Sequence, residues 1–247
     1  MWDRKQLKQR AKDVLRTTYW KAFLISLVLA FVSGGFSAPS LNFNFGSSDS
    51  SGAFWGDIDW EILLPIFAVM TAFMLAAIAF ALAFRIFVGA PLETGAMRYF
   101  KRAAEGEANL NDLGYAFNKQ RYFDIVKAML WRGLLNFLWF LLLIIPGIVK
   151  SYAYSLVPFL LADNPNLGYR RAVDLSNQMT RGHKFRMFVL DLSFLGWILL
   201  GLLACCIGVL FVAPYINAAK AELYLALRRQ ALASGLTTEA ELRIARY

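Results

Sequence analysis

Arg132 and Asp191 stand inside long apolar runs, where an uncompensated charge is expensive and must answer to a partner or to a polar path. Superposing the two runs on Trp139 and Trp197 brings these charges within one residue of each other in depth. An arginine–carboxylate pair with Asn136 beside it would satisfy both, as glue between helices or as a substrate or proton site. A second group follows three prolines: Glu93 after Pro91, Asp163 after Pro158, and Asn217, Lys220 and Glu222 after Pro214. These five are expected at solvated helix ends or lining a shared inner vestibule. Arg85 and Lys127 sit near the ends of apolar runs and are expected to snorkel to the surface.

Much familiar chemistry is absent from the residues. His183 is the single histidine, so a histidine-rich metal cluster is excluded, and no Ser-His-Asp triad is expected around it. Beside Lys184 and Arg186 it reads as an interfacial cation or polar anchor. No GxxxxGK[ST], GxGxxG or HExxH motif occurs, so no cofactor, no metal and no enzymatic activity are expected.

The elements that would position these residues are helices in lipid. Of 247 residues 58% are hydrophobic and 17% charged, against roughly 45–50% and about 25% in soluble domains. The apolar residues cluster into runs, which decides for a polytopic membrane protein. Cys205 and Cys206 are adjacent within one run and are expected to pack as small hydrophobes. The net charge of +9 flanks the runs instead of gathering in a polar domain, so nucleic acid is not the expected partner; anionic lipid at the inner leaflet is.

Taken in order, the chain reads as one membrane domain over residues 1–247, all-α, with six transmembrane helices in three hairpins and amphipathic helices on the inner face. Residues 1–18 form a basic amphipathic helix, with Leu7, Ala11, Val14 and Leu15 along one side. The first hairpin is 19–88, with an external loop 33–59 that contains no Lys or Arg. A cytoplasmic segment, 89–124, carries a short amphipathic helix behind Asn109 or Asn111. The second hairpin is 125–161, turning at Pro146-Gly147, because proline ends the hydrogen-bond ladder and glycine tolerates a tight reversal. A cytoplasmic helix in 162–184 is expected to start at Asn164-Pro165 and stop at Gly182. The third hairpin, 185–226, turns near Cys205–Gly208. The tail 227–247 stops a helix near Gly235 and opens a short one with a capping box at Thr238 and Glu241.

Basic residues concentrate in the N-terminal stretch, the two connecting segments and the tail, which puts both termini on the cytoplasmic side. Each descending helix carries a late proline, in FVGAPLETGA, SLVPFLLAD and FVAPYINAA. Each ascending one begins in a basic-aromatic stretch, TTYWKAF, KQRYFDIVK and RGHKFRMF. A threefold unit of interfacial helix plus hairpin around a central axis is the physical reading, with Pro91, Pro158 and Pro214 as kinks.

The stretches IIPGIVKSYAYSLVPFLLADNPNL, SNQMTRGHKFRMFVLDLSFLGWILL and FVAPYINAAKAELYLAL, with RKQLKQRAKDVLRTTYWKAFLISLVLAF ahead of them, resemble the uncharacterised bacterial membrane family called domain of unknown function nine-seven-five. More distantly the chain is similar to the membrane domain of some glycerophosphoryl diester phosphodiesterases, without their catalytic barrel. The resemblance implies a multi-pass protein of the bacterial cytoplasmic membrane and brings no catalytic residue. The expected role is contact with lipid or with a partner membrane protein or second copy: membrane organisation, stress or immunity, or regulation. The competing expectations are a small transporter or channel with a pathway between the hairpins, and lipid handling.

Overall fold

The computed structural model describes residues 2–32, 60–203 and 207–243. The expected external loop 33–59, the Cys205-Cys206 pair and residues 244–247 lie outside the described residues. What is described is all-α. The helices are α1 (Arg4–Val32), α2 (Trp60–Phe84), α3 (Ala90–Ala104), α4 (Lys119–Leu142), α5 (Ile144–Ala153), α6 (Val157–Asp163), α7 (Tyr169–Met179), α8 (Lys184–Leu203) and α9 (Ile207–Ala233). Among the described residues, four helical stretches are long and apolar enough to cross a membrane: Arg4–Val32, Leu64–Ala104, Arg121–Leu142 and Ile144–Asp163.

Several boundaries differ from the sequence reading, each for a local reason. The expected amphipathic helix 1–18 and first span are a single helix, α1. No proline or glycine interrupts it, and its buried stripe Leu7, Ala11 and Leu15 runs straight on into Ala22, Ile25 and Leu29. That stripe packs along α9. Likewise α2 does not stop before a separate segment at 89: it passes through a π-helical stretch, Arg85–Gly89, into α3. The tip of the second hairpin is Leu143, extended at φ −160° and ψ 141°, and not Pro146-Gly147. Pro146 sits in the first turn of α5, where no intrahelical donor is needed. Gly147 lets α5 lie against α4, since a Cβ there would stand 2.7 Å from the Phe140 ring.

The descending arm of that hairpin is broken at Tyr154–Leu156, dividing α5 from α6. Asn109 does cap the segment after it, accepting from Asn111 N at 3.0 Å, but the segment is a 3-10 helix, Leu110–Phe117. Asn164-Pro165 opens only the 3-10 turn Pro165–Leu167, and α7 starts after Gly168. Gly235, at φ 69°, ends α9 in the left-handed region that glycine adopts freely. The tail then forms turns in place of a helix. Thr238 Oγ1 accepts from Glu241 N at 3.1 Å, while the Glu241 carboxylate takes the Arg171 fork at 2.7 and 3.2 Å.

The prolines explain how the helices join. Pro91 has no N–H for the Phe87 carbonyl four residues earlier. The Tyr122 hydroxyl, at the start of α4, donates to that carbonyl at 2.7 Å. Near Pro214, which α9 carries within its length, the Tyr19 hydroxyl of α1 donates to Phe211 O at 3.2 Å. At Pro158 the helix breaks instead, and α8 meets α5 through an edge-on contact of Phe188 with Tyr152. Each ascending helix thus leans on the descending helix of a different pair. Two of the three expected hairpins are packed pairs, α4 on α5 and α8 on α9; α1 packs on α9 and α3.

Candidate functional site

Polar side chains from several helices gather around a small cavity of about 160 Å³ between α3, α4, α5, α6, α8 and α9. Its position follows from the helix breaks, which bring the start of α3 and the Tyr154–Leu156 turn against α8 and α9. Arg132 and Asp191 both line it, but they are not a pair. Arg132 Nη1 donates to Glu93 Oε1 at 2.9 Å, and Asp191 faces Lys220 at 3.7 Å. Superposing helices in one dimension says nothing about which sides face each other, and that is where the expected pairing fails.

Glu93 also accepts from Arg85 Nη2 at 3.4 Å, so one carboxylate gathers two guanidiniums and Arg85 does more than snorkel. Asn217 lines the same cavity and donates to Ser26 Oγ of α1 at 3.2 Å. Two polar atoms of α4, Arg132 Nε and, four residues on, Asn136 Oδ1, are buried without a partner among the described residues. Of the five expected vestibule residues, then, Glu93, Asn217 and Lys220 meet here. Asp163 and Glu222 do not.

Asp163 anchors a separate network, its side chain 2% exposed. It accepts from Lys101 Nζ of α3, from the Tyr224 hydroxyl at 2.5 Å and from Arg228 Nη1 at 3.2 Å, both of α9. Arg228 reaches on to Glu105 at 2.5 Å. Next to it Asp112 receives Arg98 Nε at 3.0 Å and Arg102 Nη1 at 3.3 Å. Glu222 lies on the opposite side of α9, buried beside Arg10 and Arg229.

Lys101, Arg102 and Arg98 were read only as charges marking the inner face. Their spacing on α3 was the available signal: three cations within one helical turn and a half demand carboxylates from neighbouring elements. Lys127 stacks on the Tyr169 ring at 4.8 Å. His183 is not simply a cation: it lies by the Trp2 indole, centroids 6.4 Å apart, and burial, then Arg186, hold its pKa below the ordinary 6.5.

An all-α chain with four membrane-length apolar helices and a small ion-paired polar centre has the make-up of a multi-pass membrane protein. Residues 115–231, from the end of the 3-10 helix to the last turns of α9, match the family described as Protein of unknown function (DUF975). No curated protein and no solved structure matches the chain.

Proposed function

We propose that this is a non-enzymatic protein of the bacterial cytoplasmic membrane, with six spans and both termini inside, that acts through contacts its helices make with a partner membrane protein or with lipid. The observation carrying this reading is α2. It is 25 residues long, its described side chains are all exposed, and Phe73 and Phe80 are 75% and 74% accessible. A surface so apolar and bare is an interaction surface. The polar cavity supports the same reading: its charges neutralise one another, and its volume is well under the roughly 300 Å³ of an ordinary ligand pocket.

A photo-crosslinking residue at Phe73 or Phe80 in native membranes is expected to give adducts of higher mass, with a partner or a second copy, or adducts with lipid. Replacing residues 64–84 by polyleucine should abolish the protein adducts while protease resistance of the rest is kept. Protein adducts that persist unchanged, or the absence of both protein and lipid adducts, overturn the reading. Topology is tested separately: cysteine at Ser48 should label from outside intact cells, and cysteine at exposed Ser234 only after permeabilisation. Ser176 is unsuitable as the inner probe, being fully buried and bonded to Ala153 O at 2.7 Å.

Transport is a second reading, favoured by the unpartnered Arg132 Nε and Asn136 Oδ1 beside two ion pairs. It requires flux into proteoliposomes that disappears in Arg132→Gln and Asp191→Asn.

A further inference from the structure

A cleft of about 600 Å³, separate from the polar cavity, stands apart by its charge. It opens at the polar end of the bundle, between the C-terminal turn of α3, the 3-10 helix, the start of α4 and the last part of α9. Six cationic side chains line it against three carboxylates. Most are accounted for. Arg98 and Arg102 share Asp112, which stands behind the wall; Lys101 and Arg228 share Asp163; Arg228 also holds Glu105. With Asp112 included, two positive charges remain uncompensated, and the side chains with no carboxylate among the described residues are Arg121 and Arg243.

Two further features point to an anion. The Tyr115 ring is stacked by two guanidiniums at once, Arg98 at 3.6 Å and Arg121 at 4.6 Å from its centroid. Like charges so close repel, and of these two only Arg98 has a carboxylate, so a negative group in the cleft would relieve the pair. Arg228, itself mostly buried, keeps its Nε without a partner. Arginine presents several N–H donors in a planar fork that matches the oxygens of a phosphate, and such charge-assisted bonds are the strong ones.

We infer that this cleft is a binding site for a phosphate monoester dianion, held by Arg121 and Arg243 with Arg228 at its back. The same chemistry belongs to a phosphatidic-acid headgroup and to a soluble phosphate ester. The inference deepens the lipid-contact half of the proposed function, but it stands on other residues than α2, and its failure leaves the cross-linking result untouched.

The test uses the full chain purified in a neutral detergent. In one arm, phosphatidic acid or phosphatidylcholine is added in mixed micelles, and retained lipid is read by native mass spectrometry with the thermal midpoint. In the other, inorganic phosphate and glycerol 3-phosphate are titrated calorimetrically. The variant is Arg121→Gln with Arg243→Gln, which breaks no ion pair among the described residues; Arg181→Gln, exposed and away from the cleft, is the control. Wild type and control should bind, and the double variant should lose affinity by about tenfold or more. Should that variant fail to fold, Arg243→Gln alone carries the test, with a loss of about threefold.

Binding of phosphatidic acid without the soluble probes assigns the headgroup; binding of the soluble probes assigns a free ester. Equal binding by the double variant, or no binding of any phosphate probe to wild type, overturns the inference.

Discussion

Helices α2 and α6 both read as apolar in sequence, yet they end in opposite surroundings. Every residue of α6 is buried, and none of the described side chains of α2 is. Hydrophobicity does not separate them, since lipid tails are as apolar as leucine and supply no hydrophobic drive between helices. Polar partners do. α6 ends in Asp163, which collects Lys101, Tyr224 and Arg228 from two other helices. Between Glu61 and Arg85, α2 carries no charge, and its Thr71 hydroxyl is spent on its own backbone, on Phe67 O and Ala68 O at 2.9 Å. Apolar length places a helix out of water; a buried carboxylate decides which helices it joins.

The comparison breaks most directly at Asp163. Asp163→Ala leaves the Tyr224 hydroxyl without its acceptor and Lys101 and Arg228 with Glu105 alone to share, and should cost about 3–5 kcal/mol, read as a fall in thermal midpoint in detergent. Phe73→Leu and Phe80→Leu in α2 should stay within about 0.5 kcal/mol in the same assay. Comparable losses at both places would erase the distinction.

Gly95→Ala comes next. Its Cβ would lie 2.4 Å from the Leu113 carbonyl, a backbone atom that cannot swing away, so α3 and the 3-10 helix must part, at about 1–3 kcal/mol. Tyr122→Phe removes the donor to Phe87 O where Pro91 supplies none, and should cost about 1–2 kcal/mol. Measured alongside Phe123→Leu, an exposed neighbour, it shows whether the hydroxyl or the ring matters.

The smallest effect is pH-dependent. The Arg171 fork, chiefly, holds the Glu241 pKa below its ordinary 4.5. A lowered carboxylate contributes stability that is complete above the ordinary pKa and is lost as pH falls through the lower folded one. Because the pair is partly exposed, the contribution is only about 0.5–1 kcal/mol after solvent screening. Unfolding midpoints at pH 6 and below pH 4 should therefore differ less in Glu241→Gln than in wild type.

Helical content and membrane-length runs were legible because hydrophobicity and length alone encode them. Gly235 and the Asn109 cap were legible too, since single residues carry those signals. The hairpin tip was misplaced because Pro146-Gly147 has two uses, a turn or the first turn of a helix packed closely on Phe140, and local sequence does not choose between them. The Arg132 partner was missed for a different reason. Glu93 lies 39 residues away beyond a π-helical stretch, and that stretch changes the side to which everything after it points. Tail contacts such as Glu241 with Arg171, 70 residues apart, leave no local trace at all.

The Tyr19 hydroxyl and the Phe211 carbonyl that it reaches are 192 residues apart. Helix α1 therefore leaves the ribosome long before its neighbour in α9 exists. Until α9 emerges, the α1 stripe from Leu7 to Leu29 has only part of its cover, from α3, and whatever holds the rest meanwhile, lipid or chaperone, must then give way to α9. The α1–α9 contact is therefore among the last to close, and a product lacking α9 should be recognised as unfinished however much of the rest has formed.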